Sequence, residues 1–299
     1  MKYIEKPTGL LKPVNPRPGQ IQTTVPNWDF YSPVVDVAWL RARAQRIWHK
    51  QSEVIGIDFD DVGHEHILTT IFPRHINKYR YPEKIEESAE LQRFYTQNSQ
   101  FSWLDPRAFF VLMCEQPPRR LIEVGSGFST LLAAEMNRNE LGGCVEITCI
   151  EPYPRPFLRA GIPGVSKLIE QQVQDVPLQL FESLEDGDIL FIDSSHVAKT
   201  GSDVNFLYFE VLPRLKPGVR IHIHDIFLPN EYPRSWVLEQ HRSWNEQYLL
   251  RALLMFSTAF QVEFSCSYAH SRFPGLVSAA LARPTGQGFG GGSIWLRRR

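Results

Sequence analysis

Carboxylate and imidazole side chains follow four apolar runs of this chain, at the points where buried strands should end. An ionised carboxylate accepts hydrogen bonds strongly, and a histidine can exchange a proton near neutral pH. In an open sheet of parallel strands, ligands bind beyond the carboxyl ends of the strands. We therefore predict one polar site that contains Glu123, Glu151, Asp193 with His196, and His224 with Asp225.

Asp193 and Asp225 follow two strands that are expected to be neighbours. Because adjacent strands lie about 4.8 Å apart, the two carboxylates could share one cation. His196 is the strongest candidate for a general base that takes a proton from a substrate hydroxyl; the alternative is that it only caps the helix after the strand. His222 should point by strand alternation into a face covered by helices, where we expect a core histidine.

A glycine turn connects the first of these strands to a helix. Residues 121–124 form a short apolar run that contains Glu123, Gly125-Ser126-Gly127 form the turn, and residues 128–136 have a helical pattern. Glycines let the backbone close on a ligand, and the start of the helix offers unpaired N–H groups. Since a buried charge needs a partner, Glu123 should face the glycine turn or a cationic ligand.

The run Glu-Val-Gly-Ser-Gly at 123–127 resembles the first motif of class I S-adenosylmethionine-dependent methyltransferases, whose acidic-x-Gly-x-Gly loop holds the methionine part of the cofactor. In this fold, Glu151 at the end of the second strand would accept hydrogen bonds from the ribose hydroxyls, unless it is only a surface acid. The resemblance also implies that Asp175 lies against the adenine amine, unless it only caps the next helix. The predicted cofactor-binding residues are Glu123, Gly125, Ser126, Gly127, Glu151, Asp175 and Asp193.

Further along, residues 191–197, 222–229 and 231–233, together with Trp236 and residues 292–296, resemble a bacterial subgroup of these methyltransferases that modifies small molecules or sugars at oxygen. In metal-dependent relatives, an acid after the fourth strand and an acidic pair after the fifth hold a divalent metal. The pair here is His224-Asp225, and an imidazole ligand favours manganese or iron over magnesium. The implied metal ligands are Asp193, His224 and Asp225, and the implied catalytic residues are His196, His224 and Asp225.

These features favour a methyltransferase that acts on a hydroxyl of a small molecule or sugar. Residues 229–236 and Trp244 would form an aromatic wall for the acceptor, although core packing would also explain them. Two alternatives stay open: an NAD-dependent oxidoreductase or epimerase, and a non-catalytic binding protein that keeps the cofactor fold. Against the first alternative, Thr130 stands where a Gly-x-Gly-x-x-Gly motif needs its third glycine.

Composition excludes some classes of partner. The chain has 299 residues and a net charge of −1, which gives no broad electrostatic surface for nucleic acid. No window approaches the roughly 18 apolar residues of a membrane span, so we expect a cytoplasmic protein without a membrane partner. The four cysteines form no Cys-x-x-Cys pair, which argues against a zinc knuckle. Assembly into a homo-oligomer stays open.

Strands that alternate with helices predict an α/β fold with a doubly wound, Rossmann-like sheet, and the methyltransferase resemblance implies seven strands with the last one antiparallel. We divide the chain into an extended proline-rich arm (1–33), a helical extension or lid (34–118) and the methyltransferase domain (119–299). The extension should contain helices at 35–48 and 83–96 and a third helix capped by Asp105.

Three other segments have recognisable local patterns. His64-Glu65-His66 lies in a polar stretch and should be solvated surface. Residues 165–173 should form the third strand. Residues 274–292 are rich in glycine and proline and should form an irregular excursion between the last two strands.

Overall fold

The computed structural model describes residues 29–49, 53–84, 93–281 and 291–299, and its centre is a seven-stranded sheet in the order β3-β2-β1-β4-β5-β7-β6. The strands are β1 (Arg120–Val124), β2 (Glu146–Ile150), β3 (Lys167–Ile169), β4 (Ile189–Ile192), β5 (Arg220–Ile223), β6 (Phe260–Ser265) and β7 (Ile294–Arg298). Strands β1 to β5 are parallel, and β7 is antiparallel to both of its neighbours. The predicted fold class is confirmed.

Thirteen α-helices are present in the described residues. They are α1 (Val37–Ala42), α2 (Ala44–Trp48), α3 (Asp61–His66), α4 (Phe72–His75), α5 (Leu104–Glu115), α6 (Phe128–Asn139), α7 (Pro156–Arg159), α8 (Leu178–Glu182), α9 (Asp203–Phe206), α10 (Arg234–Leu238), α11 (Glu246–Leu254), α12 (Cys266–Arg272) and α13 (Pro274–Ala280). Turns of π-helix (Ile67–Ile71, Leu207–Val211) and of 3₁₀-helix (Ile76–Lys78, Val173–Asp175, Leu212–Arg214) continue or join them.

The central strands are buried because apolar clusters cover both faces of the sheet. Leu121 of β1 belongs to the cluster that also contains residues of α5 and α6, whereas Ile122 and Val124 belong to the cluster on the opposite face. This alternation follows from the two-residue period of a strand. It places Glu123 on the same face as Leu121, under α6.

The register brings the ends of four strands to one edge of the sheet. Val124 at the end of β1 is paired with Ile150 of β2 and with Ile192 of β4, and Ile192 is paired with Ile223 of β5. The next residue of each strand therefore leaves the sheet at the same level. This is the edge at which the sequence predicts the polar site.

Several local predictions for the N-terminal part need correction. The predicted helix at 35–48 is split at Arg43 into α1 and α2, with Asp36 as the cap of α1. Asp105 does not cap α5, because the helix begins two residues earlier than predicted, and its buried carboxylate accepts hydrogen bonds from the backbone of Gly292 and the hydroxyl of Ser293. Most of the predicted proline-rich arm (1–28) and the middle of the predicted helix at 83–96 (85–92) lie outside the described residues.

His64 is not solvated surface: its side chain is fully buried, and its Nε2 accepts a hydrogen bond from the Ser265 backbone N–H at 2.8 Å. The third strand is shorter than predicted, since β3 ends at Ile169. The segment after β6 is also more regular than predicted, because α13 begins at Pro274. Within the described residues, no helix is both long enough and apolar enough to cross a membrane.

Candidate active site

The glycine turn after β1 is held between the ends of two neighbouring strands. Gly125 has φ +82°, and a Cβ at this position would collide with the backbone carbonyl oxygen of Asp193. The Gly125 N–H donates to the carbonyl oxygen of Ile150 at 2.9 Å. Gly127 is different: the nearest atom to a Cβ built there is Gln100 Oε1, at 3.9 Å. The turn is therefore tight at Gly125, whereas a Cβ at Gly127 would make only an ordinary van der Waals contact.

Glu123 supports this turn from below. Its side chain is 1% exposed and accepts hydrogen bonds from the hydroxyls of Ser129, at 2.6 Å, and of Thr130 in the first turn of α6. Burial raises the pKa of Glu123 to about 7, and the hydrogen bonds from Ser129 and Thr130 limit that rise. Glu123 was predicted to face the glycine turn because an isolated buried charge needs a partner. Its partners lie in the first turn of α6, which directly follows the glycine turn.

Glu151 lies beside the turn at the end of β2. Its Oε2 accepts a hydrogen bond from the Ser126 N–H at 3.3 Å, and its Oε1 accepts one from the Tyr153 N–H at 2.7 Å. Asp175 is exposed at the end of the 3₁₀ turn Val173–Asp175. It does not cap α8, whose N-cap position is Pro177 without a side-chain hydrogen bond.

A cluster of His196 and three carboxylates lies beyond β4 and β5; His196 and Glu246 are buried, and Asp193 and Asp225 are half-buried. The His196 Nε2 is 3.2 Å from Asp193 Oδ1 and 3.5 Å from Asp225 Oδ2, and the Nδ1 is 2.9 Å from Glu246 Oε2. His196 has φ +61° and Asp225 has φ +57°, the left-handed conformation that costs non-glycine residues energy. His196 does not cap α9, because Ser202 occupies that position.

The charges in the cluster act strongly on one another. Burial lowers the pKa of His196, but its bonds to Asp193 and Glu246 and the charge of Asp225 outweigh burial and hold the pKa well above its usual range. Burial raises the pKa of Asp225, and the neighbouring charges of His224 and His196 only partly oppose that rise. The pKa of Asp193 stays below its usual value, because the charge of His224 and the bond to His196 outweigh burial. The imidazole is therefore a strong base whose proton three carboxylates stabilise.

The structure offers His196, not His224, as the imidazole that could share an ion with the two aspartates. One ligand atom each of Asp193, His196 and Asp225 lie within 4.8 Å of one another. His224 Nε2 instead lies 3.1 Å from the Gln100 carbonyl oxygen and 3.6 Å from Asp225 Oδ1. Its Nδ1 is buried without a partner among the described residues.

His222 is a core residue, as predicted. Its ring is fully buried and stacks on Phe191, with 4.0 Å between the ring centroids. Burial lowers the pKa of His222 well below its usual range, so the ring is neutral.

Aromatic side chains border the cluster on the side of α10. The Trp244 ring lies over the His196 imidazole, with centroids 4.3 Å apart, and meets Trp236 edge to face at 5.4 Å. The Arg242 guanidinium lies 4.1 Å from the Trp236 ring centroid and 4.4 Å from that of Trp244. Trp48 of α2 donates its indole N–H to the carbonyl oxygen of Tyr232 at 2.8 Å, so the N-terminal extension supports this wall.

Comparison with known proteins agrees with this geometry. Residues 122–226, which include the glycine turn and most of the cluster, match the family model Methyltransf_24, described as a methyltransferase domain. An uncharacterized protein from Archaeoglobus fulgidus is 36% identical over 171 residues, which cover 55% of this chain and 75% of the archaeal protein. The chain belongs to the family of that protein. Residues 122–226 thus resemble a methyltransferase domain, and the sheet order described above matches a Rossmann-like methyltransferase fold.

Two solved structures resemble this chain more distantly. The mitomycin 7-O-methyltransferase MmcR is 17% identical, with a TM-score of 0.36, and the match covers 65% of this chain and 56% of that one. A putative O-methyltransferase from Klebsiella pneumoniae is 14% identical, with a TM-score of 0.38, and the match covers 80% and 96%. Sequence identities and TM-scores this low give no information about the acceptor substrate.

Three residues at the site were not predicted from the sequence. Glu246 is the first residue of α11, where an acid ordinarily stabilises the helix start in solvent, yet it is fully buried against His196. Gln100 and Arg155 lie in connecting segments without a motif, and the Arg155 Nη2 donates to Gln100 Oε1 at 2.7 Å. Their positions depend on tertiary packing, which leaves no periodic signal.

Proposed function

We propose that this chain transfers a methyl group from S-adenosylmethionine to a hydroxyl of a small molecule or sugar. The observation that carries the proposal is the double position of Asp193. Its backbone carbonyl closes the glycine turn at Gly125, and its carboxylate lies 3.2 Å from the His196 imidazole. A cofactor bound at the turn and a base in the cluster would thus both lie next to Asp193. Methyl transfer requires the cofactor and the acceptor to be held close together.

The residues around the turn fit the cofactor. The methionine part would lie along Ser126 and Gly127, and the hydroxyl oxygen of Ser194, next to Asp193, is buried without a partner among the described residues. Glu151 would accept hydrogen bonds from the ribose, and Asp175 would lie near the adenine amine. Glu123 would act indirectly, since it holds the start of α6. When bound, the cofactor supplies an electrophilic methyl group on a sulfonium.

The protein's own part in the reaction is to align the acceptor oxygen and remove its proton. His196 would receive that proton at Nε2 when this nitrogen is unprotonated, and because the pKa of the ring is raised, the rate of methyl transfer should increase with pH. Glu246 would hold the Nδ1–H, so that Nε2 faces Asp193 and Asp225. Because methyl transfer is an in-line displacement, the main requirement is correct placement of the oxygen. The tryptophan wall of Trp236 and Trp244 would place a ring or sugar acceptor.

A divalent cation held by Asp193, His196 Nε2 and Asp225 is the alternative to a free base, because a nitrogen that binds a cation cannot also receive a proton. Carboxylates withdrawn from water are expected to pair with cations, and one buried and two half-buried carboxylates surround one imidazole here. Two oxygens and one imidazole nitrogen suit manganese or iron better than magnesium. Such an ion would lower the pKa of an acceptor hydroxyl bound to it.

Titration calorimetry and an acceptor screen test this function together. We expect S-adenosylhomocysteine to bind and NAD not to bind. Methyl transfer to a panel of phenols, catechols and sugars, followed by mass spectrometry, should give a product that His196→Gln fails to make while it still binds S-adenosylhomocysteine. NAD binding instead would favour the oxidoreductase. Partner function that survives in the double variant His196→Gln, Asp225→Asn would favour the non-catalytic protein.

A further inference from the structure

The side chains that surround the glycine turn are mostly acids and hydroxyls. Glu123 lies below the turn, Glu151 lies at one side, and Asp193 lies at the other with Ser194 next to it. S-Adenosylmethionine ends in an amino acid, whose α-carboxylate would be repelled by such a surface. A cofactor held in this turn therefore needs a cation from elsewhere in the chain.

Arg155 brings a cation to this place from the connection between β2 and α7. Its guanidinium lies 5.4 Å from the ring centroid of Phe128, the first residue of α6, and donates to Gln100 Oε1 at 2.7 Å. The same Gln100 oxygen is the atom nearest to a Cβ built on Gly127. These contacts place the guanidinium beside the turn, on the side of Gly127.

The partners of Arg155 leave its charge uncompensated. It bonds to a neutral amide and lies against an aromatic ring, and no carboxylate among the described residues forms an ion pair with it. Arg159, one helical turn further on, is different: its Nε lies 3.0 Å from Glu170 Oε2. A guanidinium without an acidic partner is well suited to bind a carboxylate through two parallel N–H donors.

We propose that Arg155 binds the α-carboxylate of the cofactor's methionine end, with Gln100 beside it at the same end. This inference rests on the proposed function and assigns to it a residue outside the glycine turn. Gln100 belongs to a turn in which Asn98 Oδ1 accepts from the backbone N–H groups of Gln100 and Phe101. The turn formed by residues 98–101 would lie over the methionine part of the cofactor. The carbonyl oxygen of Gln100 also contacts the Nε2 of His224, which follows β5.

The test compares two ligands that differ only at the amino-acid end. S-Adenosylhomocysteine carries the carboxylate, and 5′-methylthioadenosine keeps the adenosine and the thioether but lacks the amino acid. Calorimetry with the full chain should show that Arg155→Ala weakens S-adenosylhomocysteine roughly 10- to 100-fold, as expected for a hydrogen-bonded charge. The affinity for 5′-methylthioadenosine should stay within about twofold.

Control variants separate the charge of Arg155 from other effects. Arg159→Ala removes a nearby positive charge that already has an acidic partner, and both ligands should bind it as they bind the wild type. Arg155→Lys keeps the charge without the planar pair of donors and should lie between wild type and Arg155→Ala. The thermal unfolding midpoint of each variant reports whether the chain is folded.

The outcomes distinguish this inference from the function on which it rests. The role of Arg155 is wrong, and the proposed function is untouched, under either of two outcomes. In one, both variants, Arg155→Ala and Arg155→Lys, lose affinity equally for the two ligands; in the other, both bind S-adenosylhomocysteine as the wild type does. Failure of the wild type to bind either ligand overturns the proposed function and this inference together.

Discussion

The Nδ1 of His196 lies 2.9 Å from the carboxylate of Glu246, which is fully buried at the start of α11. Nδ1 must therefore carry a proton and donate it, which fixes the ring so that Nε2 faces Asp193 and Asp225. The backbone adds a second connection, since the carbonyl oxygen of His196 accepts from the Glu246 N–H at 3.2 Å. A helix far along the chain thus orients the imidazole of the predicted general base.

Glu246→Gln should lower kcat for methyl transfer by roughly 10- to 100-fold. The neutral amide would hold the imidazole less firmly in its orientation and would not stabilise its protonated form. Affinity for S-adenosylhomocysteine should not change. Steady-state kinetics with an acceptor from the screen and calorimetry measure the two quantities. Glu239→Gln, at an exposed acid after α10, is the control. A kcat equal to that of the control would show that Glu246 does not act through His196.

Gly125→Ala should abolish cofactor binding and destabilise the fold, because the new Cβ would collide with the Asp193 carbonyl oxygen. Gly143→Ala is a matched control: Gly143 has φ +72°, yet nothing lies within 4 Å of a Cβ there. The control should lose only the roughly 1 kcal/mol typical of a left-handed residue. Urea unfolding and calorimetry compare the two. Equal losses of stability would mean that the turn can relax away from Asp193.

Glu151→Ala should weaken S-adenosylhomocysteine binding by roughly 1–3 kcal/mol through lost hydrogen bonds to the ribose. Glu146→Ala is the control, because Glu146 is exposed at the opposite end of the same strand. Calorimetry of S-adenosylhomocysteine binding to the wild type and to each variant measures the two changes in affinity. An unchanged dissociation constant in Glu151→Ala would place the ribose elsewhere.

Glu123 should make the free energy of unfolding depend on pH. The folded chain raises the pKa of Glu123 from 4.5 to about 7, so the folded state holds a proton that the unfolded state has lost between these values. Stability should therefore fall by about 3 kcal/mol as pH rises through this window. Glu123→Gln stays neutral and should lose this slope, whereas Glu146→Gln should keep it. Urea unfolding at a series of pH values would refute the assignment if wild type and Glu123→Gln had equal slopes.

The sheet and its polar edge follow from sequence because both depend on local patterns. Apolar runs such as 189–192 specify a buried strand wherever they occur, and parallel pairing then aligns their ends. Glu123 and Asp193 could be placed at that edge for this reason. The residue types alone gave the chemistry of the predicted site.

Contacts between distant segments could not be predicted in this way. His64 reads as polar surface, yet it pairs with Ser265, 201 residues away. Asp105 was predicted to cap a helix, yet α5 begins two residues earlier than predicted, with Trp103 at the N-cap, and the Asp105 carboxylate accepts a hydrogen bond from the Gly292 backbone N–H. In each case a tertiary partner outweighs the local preference of the residue, and a single sequence carries no signal of that partner.

The cation site yields a prediction that separates the two histidines at the edge. His196→Gln should abolish high-affinity Mn²⁺ binding, because Nε2 of His196 is the nitrogen that lies near both Asp193 and Asp225. His224→Gln should bind Mn²⁺ nearly as well as the wild type, because His224 Nε2 is directed to the Gln100 carbonyl. Electron paramagnetic resonance of free Mn²⁺ during titration measures both affinities without any acceptor. Loss of binding in His224→Gln with retention in His196→Gln would reverse the assignment and restore the ligand set implied by the motif.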